Sequence, residues 1–265
     1  MERERFIPGI FNTCDYWCAR CAFTRRCRNF AMGDEMERRA NGTAPPEDAV
    51  NAAFWERLGD TLRETVAFGP HEAWDDEAMA EVDAELEPDP EWDAREEARS
   101  KAADRHPLMR MARDYLVRVH AWLKSADGDL KAVAQDLMVA ARSRIDADAL
   151  ENEARDIGEM IEVIAWYHTL IPAKLGRAVR QRIDSEADDC PDILVEVRSE
   201  DANGTGKVVL IAIERSMAAW LRLRGVLPGH EDTILGMLAL LDRMRAELHA
   251  ALPGAASFRR PGFDD

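Results

Sequence analysis

Long apolar runs are missing from this sequence, since none approaches the roughly eighteen residues of a membrane span. Basic residues are too few to balance the acids, 35 against 51, and the formal net charge is −16. Non-specific binding to nucleic acid or to an anionic membrane is therefore unfavourable. None of the six histidines has an acid three positions before it, and His-Glu-x-x-His does not occur, so the usual signature of a di-iron bundle is missing.

Cysteine is scarce overall, yet four of the five cysteines lie within fourteen residues. They are Cys14, Cys18, Cys21 and Cys27, and their C-x3-C, C-x2-C and C-x5-C spacings are typical of a metal site. On a continuous helix the first three would spread over about 10 Å, whereas sulfurs bound to one zinc lie within roughly 4 Å of one another. We therefore predict that the chain turns within this cysteine segment, residues 11–30.

The same spacing indicates which metal centre is favoured. A single zinc usually takes two C-x2-C-like pairs joined by a longer loop, and the second pair is missing here. A cubane cluster spreads its thiolates wider and is commonly held by one short, cysteine-dense run. The spacing favours a [4Fe-4S] cluster bound by Cys14, Cys18, Cys21 and Cys27, with zinc at the same cysteines as the alternative.

Charged and aromatic residues around the cysteines fit either centre. Up to Phe30 the chain holds six arginines against three acids, and guanidinium groups stabilise an anionic four-thiolate centre. Four of these arginines surround the cysteines: Arg20, Arg25, Arg26 and Arg28. The aromatic residues of the segment would form a dry shell around the centre or simply the small core of a metal knuckle. They are Phe11, Tyr16, Trp17, Phe23 and Phe30.

Two known families share part of this spacing. Cys14, Cys18 and Cys21 match the C-x3-C-x2-C pattern of radical S-adenosylmethionine enzymes, which implies a cluster with one iron open to the cosubstrate. Arg20 stands where that family has an aromatic residue, and the chain shows no alternation of strands and helices like that of its barrel. The run CARCAFTRRC, which ends at Cys27, resembles the C-x2-C-x5-C end of the cluster motif in RecB-like iron-sulfur nucleases. Both resemblances imply cluster binding, and neither extends to the family's chemistry.

Disulfides or inert buried thiols are the alternative to a metal site. Disulfides would require secretion, but the N-terminus MERERF is charged and has no apolar stretch typical of a signal peptide. We therefore expect reduced thiols and a cytoplasmic protein.

Apolar residues recur at helical spacing through most of the remaining chain, which predicts a mainly α protein. The expected organisation is a small cysteine-rich metal-binding module at 1–40, a helix and an acidic linker at 41–105, a helical bundle at 106–252 and an irregular tail at 253–265. The last helix of the bundle is predicted at about Glu231 to Ala251.

Breaker residues and acid runs predict where the chain is not helical. Residues 33–48, GDEMERRANGTAPPED, read as a charged turn and loop before a helix that ends near Phe68. Residues 71–100 hold thirteen acids against two arginines, which predicts a solvated linker or an acidic docking surface. Residues 199–206, SEDANGTG, read as a polar loop that follows a short helix or strand at 193–197.

Other polar residues are weaker candidates for a site. Glu159, Glu162, His168 and Lys174 share the long third helix of the bundle and would serve an enzyme whose reaction the sequence does not identify. Helical spacing does not bring Glu162 and His168 face to face, and His168 is expected to be a satisfied polar group at the bundle edge.

Two further features have a structural interpretation. The run DANGTGK looks like the end of a phosphate-binding P-loop, but Asp201 and Val208 stand at its two diagnostic positions, so a turn with a helix cap is expected. Cys190 would replace one of the four N-terminal ligands or act as a small buried hydrophobe.

Three functions are compatible with these observations. The first is a cytoplasmic [4Fe-4S] protein acting in electron transfer or redox sensing, whose acidic helical body docks a basic protein partner. The second is a zinc-stapled helical interaction or adaptor protein without redox chemistry. The third is an enzyme with a site between the helices.

Overall fold

The computed structural model describes residues 6–41, 90–143 and 147–264. Within these ranges the regular structure is helical and contains no strand, so the mainly α prediction is confirmed. The helices are α1 (Arg28–Asn41), α2 (Pro90–Arg105), α3 (Pro107–Ser125), α4 (Asp127–Ser143), α5 (Ala147–Ser185), α6 (Asp192–Val226) and α7 (Glu231–Ala251). No helix in the described part combines the length and the apolar character needed to cross a bilayer.

Two compact units make up the chain. The smaller unit comprises residues 1–6 and 20–96, and in it α1 packs against a 3-10 turn, Thr24–Arg26. The main unit comprises residues 7–19 and 97–265.

Helices α5 and α6 form the centre of the main unit, where they pack along each other and against α3 and α7. The core between them is apolar and contains a hydrogen-bonded aromatic group. The indole N–H of Trp220 donates to the hydroxyl of Tyr115 over 3.0 Å. The ring of Trp122 meets Trp220 edge-on, with centroids 4.6 Å apart. Trp220 and Tyr115 are fully buried, so this group fixes α3 against α6.

Helix boundaries follow from local sequence. α3 begins at Pro107, where the missing N–H costs nothing, and the ring nitrogen of His106 accepts a hydrogen bond from the amide of Leu108. α7 begins with Glu231 and Asp232, whose charges suit a helix N-terminus. The predicted bounds of this last helix are confirmed.

Two segments predicted to be irregular are helical. Residues 33–41 belong to α1, because the Glu, Met, Arg and Ala residues that surround Gly33 are strong helix formers. Residues 90–100 belong to α2, which starts at a proline and carries Glu91 and Asp93 in its first turn. α2 has no buried residue, so its polar composition reflects a solvated helix. The helix predicted to end near Phe68 lies outside the described residues.

The predicted loop at 199–206 is also wrong, because these residues continue α6. The two glycines of this stretch allow neighbouring segments to pack closely against the helix. A Cβ on Gly204 would lie 2.9 Å from both Phe258 Cζ and Thr13 Cγ2, and a Cβ on Gly206 would lie 3.0 Å from Leu252 Cδ1. The glycines that make this run resemble a P-loop therefore lie within a helix, where they let other segments approach the backbone closely.

Substituting Gly204 with leucine is expected to lower the free energy of unfolding by about 1–3 kcal/mol, because Phe258 and Thr13 must move apart. Urea denaturation measures the loss. Gly236→Leu is the matched control, since no atom lies within 4 Å of a Cβ at that helical position. Equal losses in the two variants would contradict the packing role.

Candidate functional site

The cysteine segment turns repeatedly, as its spacing predicts. Single 3-10 turns at Cys18–Arg20 and Thr24–Arg26 interrupt it before α1 starts. Tyr16 has a φ of 55°, in the left-handed region that non-glycine residues rarely adopt. The backbone between Cys14 and Cys18 therefore includes a strained residue.

All five cysteines lie in the described ranges, and none forms a disulfide. Cys14 and Cys18 belong to the main unit, whereas Cys21 and Cys27 belong to the smaller one. Cys18 is exposed and the other three are partly exposed, so none is an inert core thiol.

Residues 7–19 form an arm that is held on the helices of the main unit by Asp15. One carboxylate oxygen of Asp15 accepts from the Tyr167 hydroxyl at 2.7 Å and from Arg215 Nη1 at 3.1 Å. The backbone carbonyl of Asp15 accepts from the indole N–H of Trp166 at 3.0 Å. Burial raises the pKa of Tyr167 to about 12, so the phenol stays protonated and donates to the carboxylate.

Aromatic stacking adds a second attachment. The ring of Trp17 stacks on Trp166, with centroids 5.1 Å apart and an interplanar angle of 17°. The same ring meets Tyr167 edge-on at 5.8 Å. Offset stacking and edge contacts are the favourable aromatic geometries. Trp17 therefore packs on α5, and its role is to attach the arm.

Apolar packing attaches the beginning of the arm. Ile10 is 1% exposed, and a Cβ on Gly262 of the tail would lie 2.7 Å from Ile7 Cδ1. Thr13 is buried against Gly204 of α6. The irregular tail predicted after α7 therefore has a packing role, since it covers the start of the arm.

Lys174 of α5 lies beside the first cysteine. Its side chain is 5% exposed, and its Nζ lies 4.4 Å from the ring centroid of Tyr16. Burial lowers the pKa of Lys174, while the nearby Cys14 opposes the shift. Burial likewise raises the pKa of Cys14, and the Lys174 charge opposes that shift. A negative charge at Cys14 and a positive one at Lys174 therefore stabilise each other.

The two cysteines of the smaller unit have different surroundings. The Cys21 sulfur accepts the amide of Phe23 at 3.4 Å, a contact of the kind that stabilises metal-bound thiolates. Cys27 directly precedes α1, and its carbonyl accepts the amide of Ala31 at 3.1 Å.

No group of three or more His, Cys, Asp or Glu side chains among the described residues is arranged to hold a metal ion. The nearby arginines are all exposed. They are Arg20, Arg25, Arg26 and Arg28. None of the segment's five aromatic side chains is buried, and Tyr16 and Phe30 are exposed.

The other candidates do not converge. Glu159 and Glu162 are exposed, whereas His168 and Lys174 are buried. His168 Nδ1 lies 2.7 Å from the carbonyl oxygen of Ala165, so the ring is a satisfied polar group. The side chains proposed for an enzyme site therefore lie in different environments.

Cys190 is partly exposed rather than buried, and Arg198 Nη1 lies 3.6 Å from its sulfur. It lies just before α6. As the one cysteine outside the N-terminal segment, Cys190 offers a natural control for experiments on the other four.

Sequence reasoning missed the residues that hold the arm, since Trp166, Tyr167 and Arg215 looked like ordinary helix residues. Asp15 lies 152 positions from Tyr167 and 200 from Arg215. The available signal was Asp15 itself, the only acid inside the cysteine segment. No protein-family model, curated protein or solved structure matches the chain.

Proposed function

We propose that Cys14, Cys18, Cys21 and Cys27 bind one [4Fe-4S] cluster and that the protein acts in electron transfer or redox sensing. The observation that carries the proposal is the presence of four cysteines within fourteen residues of turning chain, none of them in a disulfide and none fully buried. Such a run is a common way of holding a cubane cluster. The cytoplasm is the proposed location, because thiols persist in a reducing compartment.

The donor chemistry fits this centre, since four thiolates are the usual ligands of a cubane cluster. Lys174 lies beside Cys14, where its charge opposes the rise in the pKa of that thiol caused by burial, and the Cys21 sulfur accepts the amide of Phe23. Metal binding often organises its own ligands as it occurs. We therefore propose that cluster binding itself brings the four thiolates together.

When bound, the cluster would supply one-electron exchange. The chain itself would hold Cys14 and Cys18 in place and supply a positive charge beside them. Asp15 and Trp17 fasten the arm that carries Cys14 and Cys18 to α5 and α6. Lys174 supplies a positive charge that would offset an anionic centre and raise its potential. The acidic body, with a net charge of −16, favours encounter with a basic redox partner.

Anaerobic purification is the test. The protein is expected to be brown, to absorb broadly at about 400 nm, to bleach reversibly with dithionite and to contain about four irons per chain. Serine at Cys14, Cys18, Cys21 or Cys27 should remove most of the iron and colour. Cys190→Ser should retain both.

Colourless protein that carries one zinc would replace this proposal with the zinc-stapled adaptor. Colour that depends on Cys190 as strongly as on the other cysteines would show that the ligand set is wrong.

A further inference from the structure

The first two turns of α6 present apolar side chains to solvent. Ile193 is 81% exposed and Val197 is 60% exposed, and they are four residues apart on one row of the helix. Leu194 and Val195 are more than a third exposed. Adjacent exposed aliphatic residues are unfavourable in water and commonly mark an interaction site.

An acidic row lies beside this apolar row. Asp192, Glu196 and Glu200 follow one another at intervals of four residues, each one position from the apolar row or its continuation. All three are exposed, and none of their side chains has an ion pair or hydrogen bond with a described residue. Like charges at this spacing destabilise a helix slightly. We name residues 192–200 the α6 ridge.

Three acids near the ridge differ, because each of them is paired with an arginine. Asp184 pairs with Arg180, Asp189 with Arg99 and Asp201 with Arg177. Arg198, the only base within the ridge, bonds to the backbone carbonyl of Asp184. These three flanking acids are thus paired, whereas the acidic row on the ridge is not paired within the described part of the chain.

We propose that the α6 ridge docks a protein partner whose surface offers an apolar groove bordered by lysine or arginine. Ile193 and Val197 would enter the groove, as helix anchors at four-residue spacing do. Asp192, Glu196 and Glu200 would meet the bordering bases, which gives orientation and faster association. This inference stands on main-unit residues alone and needs no metal centre.

Charge complementarity selects this occupant over two others. A second copy of the chain would bring one acidic row against another acidic surface, since each copy carries a net charge of −16. An anionic bilayer would be repelled in the same way. A protein surface with an apolar groove and basic borders would bury the apolar row and pair the acidic row at the same time.

Fluorescence anisotropy with a synthetic helical peptide tests the proposal on the full chain. The probe repeats leucine and lysine so that one face is apolar and its borders are basic, and a scrambled peptide of equal composition controls for net charge. Ile193→Ser/Val197→Ser and, separately, Glu196→Lys/Glu200→Lys are each expected to weaken binding at least about tenfold. Leu221→Ser/Leu235→Ser, at exposed aliphatic positions elsewhere, should bind like the unmodified protein. Thermal melting of each variant verifies its folding.

Three results would overturn the inference. If the protein binds the scrambled peptide as tightly as the designed one, or if the ridge variants bind the designed peptide as tightly as the unmodified protein does, then overall charge alone explains the binding. Sedimentation that detects a dimer abolished by Ile193→Ser/Val197→Ser would make a second copy the occupant. Flotation of the unmodified protein, but not of that variant, with phosphatidylglycerol vesicles would make an anionic membrane the occupant of the ridge.

Discussion

Replacing Trp220 with alanine is expected to lower the free energy of unfolding by about 3–5 kcal/mol. Trp220 is fully buried, packs edge-on against Trp122 and donates its indole N–H to Tyr115. Truncation leaves a large cavity and removes the hydrogen-bond partner of a buried hydroxyl, and both effects are unfavourable. Urea denaturation followed by circular dichroism measures the change.

Leu221→Ala is the matched control, because Leu221 is the next residue on α6 and is 55% exposed. Its expected effect is within about 0.5 kcal/mol. Trp220→Phe separates packing from hydrogen bonding, since it keeps an aromatic ring and removes the donor. A loss below about 1 kcal/mol for Trp220→Ala would mean that this aromatic group is not central to the core.

Substituting Asp15 with alanine is expected to release the arm while the helical body stays folded. The carboxylate of Asp15 is 23% exposed and accepts hydrogen bonds from Tyr167 and Arg215 on the helices. Its second oxygen accepts from the amide of Trp17 within the arm. The hydrogen bond from Tyr167 to the charged carboxylate contributes roughly 1.5–3 kcal/mol to stability, and the pair with the half-exposed Arg215 adds at most about 1 kcal/mol. Opening of residues 10–19 should therefore become easier by about 2–4 kcal/mol. Hydrogen exchange of these amides measures the opening.

Asp156→Ala provides the comparison, because Asp156 also joins α5 to α6 through an ion pair, with Arg222 at 3.5 Å. Both partners are more than half exposed, so the expected effect is at most about 1 kcal/mol. Similar protection of the arm in both variants would contradict the role of Asp15. If α5 and α6 also lose protection in Asp15→Ala, the arm is part of the global fold.

The regular helices were predictable because their signals are local. α7 combines acids in its first turn with a buried apolar stripe, and its bounds were predicted correctly. The prediction at 199–206 was wrong because glycine was interpreted as a sign of a loop, whereas Gly204 and Gly206 allow neighbouring segments to pack closely on a helix. A sequence does not distinguish a glycine that turns the chain from one that allows close packing, since both need a missing side chain.

The candidate site was only partly predictable for a related reason. Spacing identified the cysteines and required a turning segment, since sulfur ligands of one centre must lie close together. The attachment of the arm depends on pairs such as Asp15 with Arg215, which are distant in sequence. Such pairs leave no periodic pattern, so they emerge only once the fold is known.

Native mass spectrometry of the anaerobically purified full chain tests the central claim most directly. The account predicts one added mass equal to about four irons and four sulfides per chain. The added mass should be absent from a variant with serine at Cys14, Cys18, Cys21 and Cys27 and present in Cys190→Ser. A chain that carries a single zinc, or no added mass in any preparation, would contradict it.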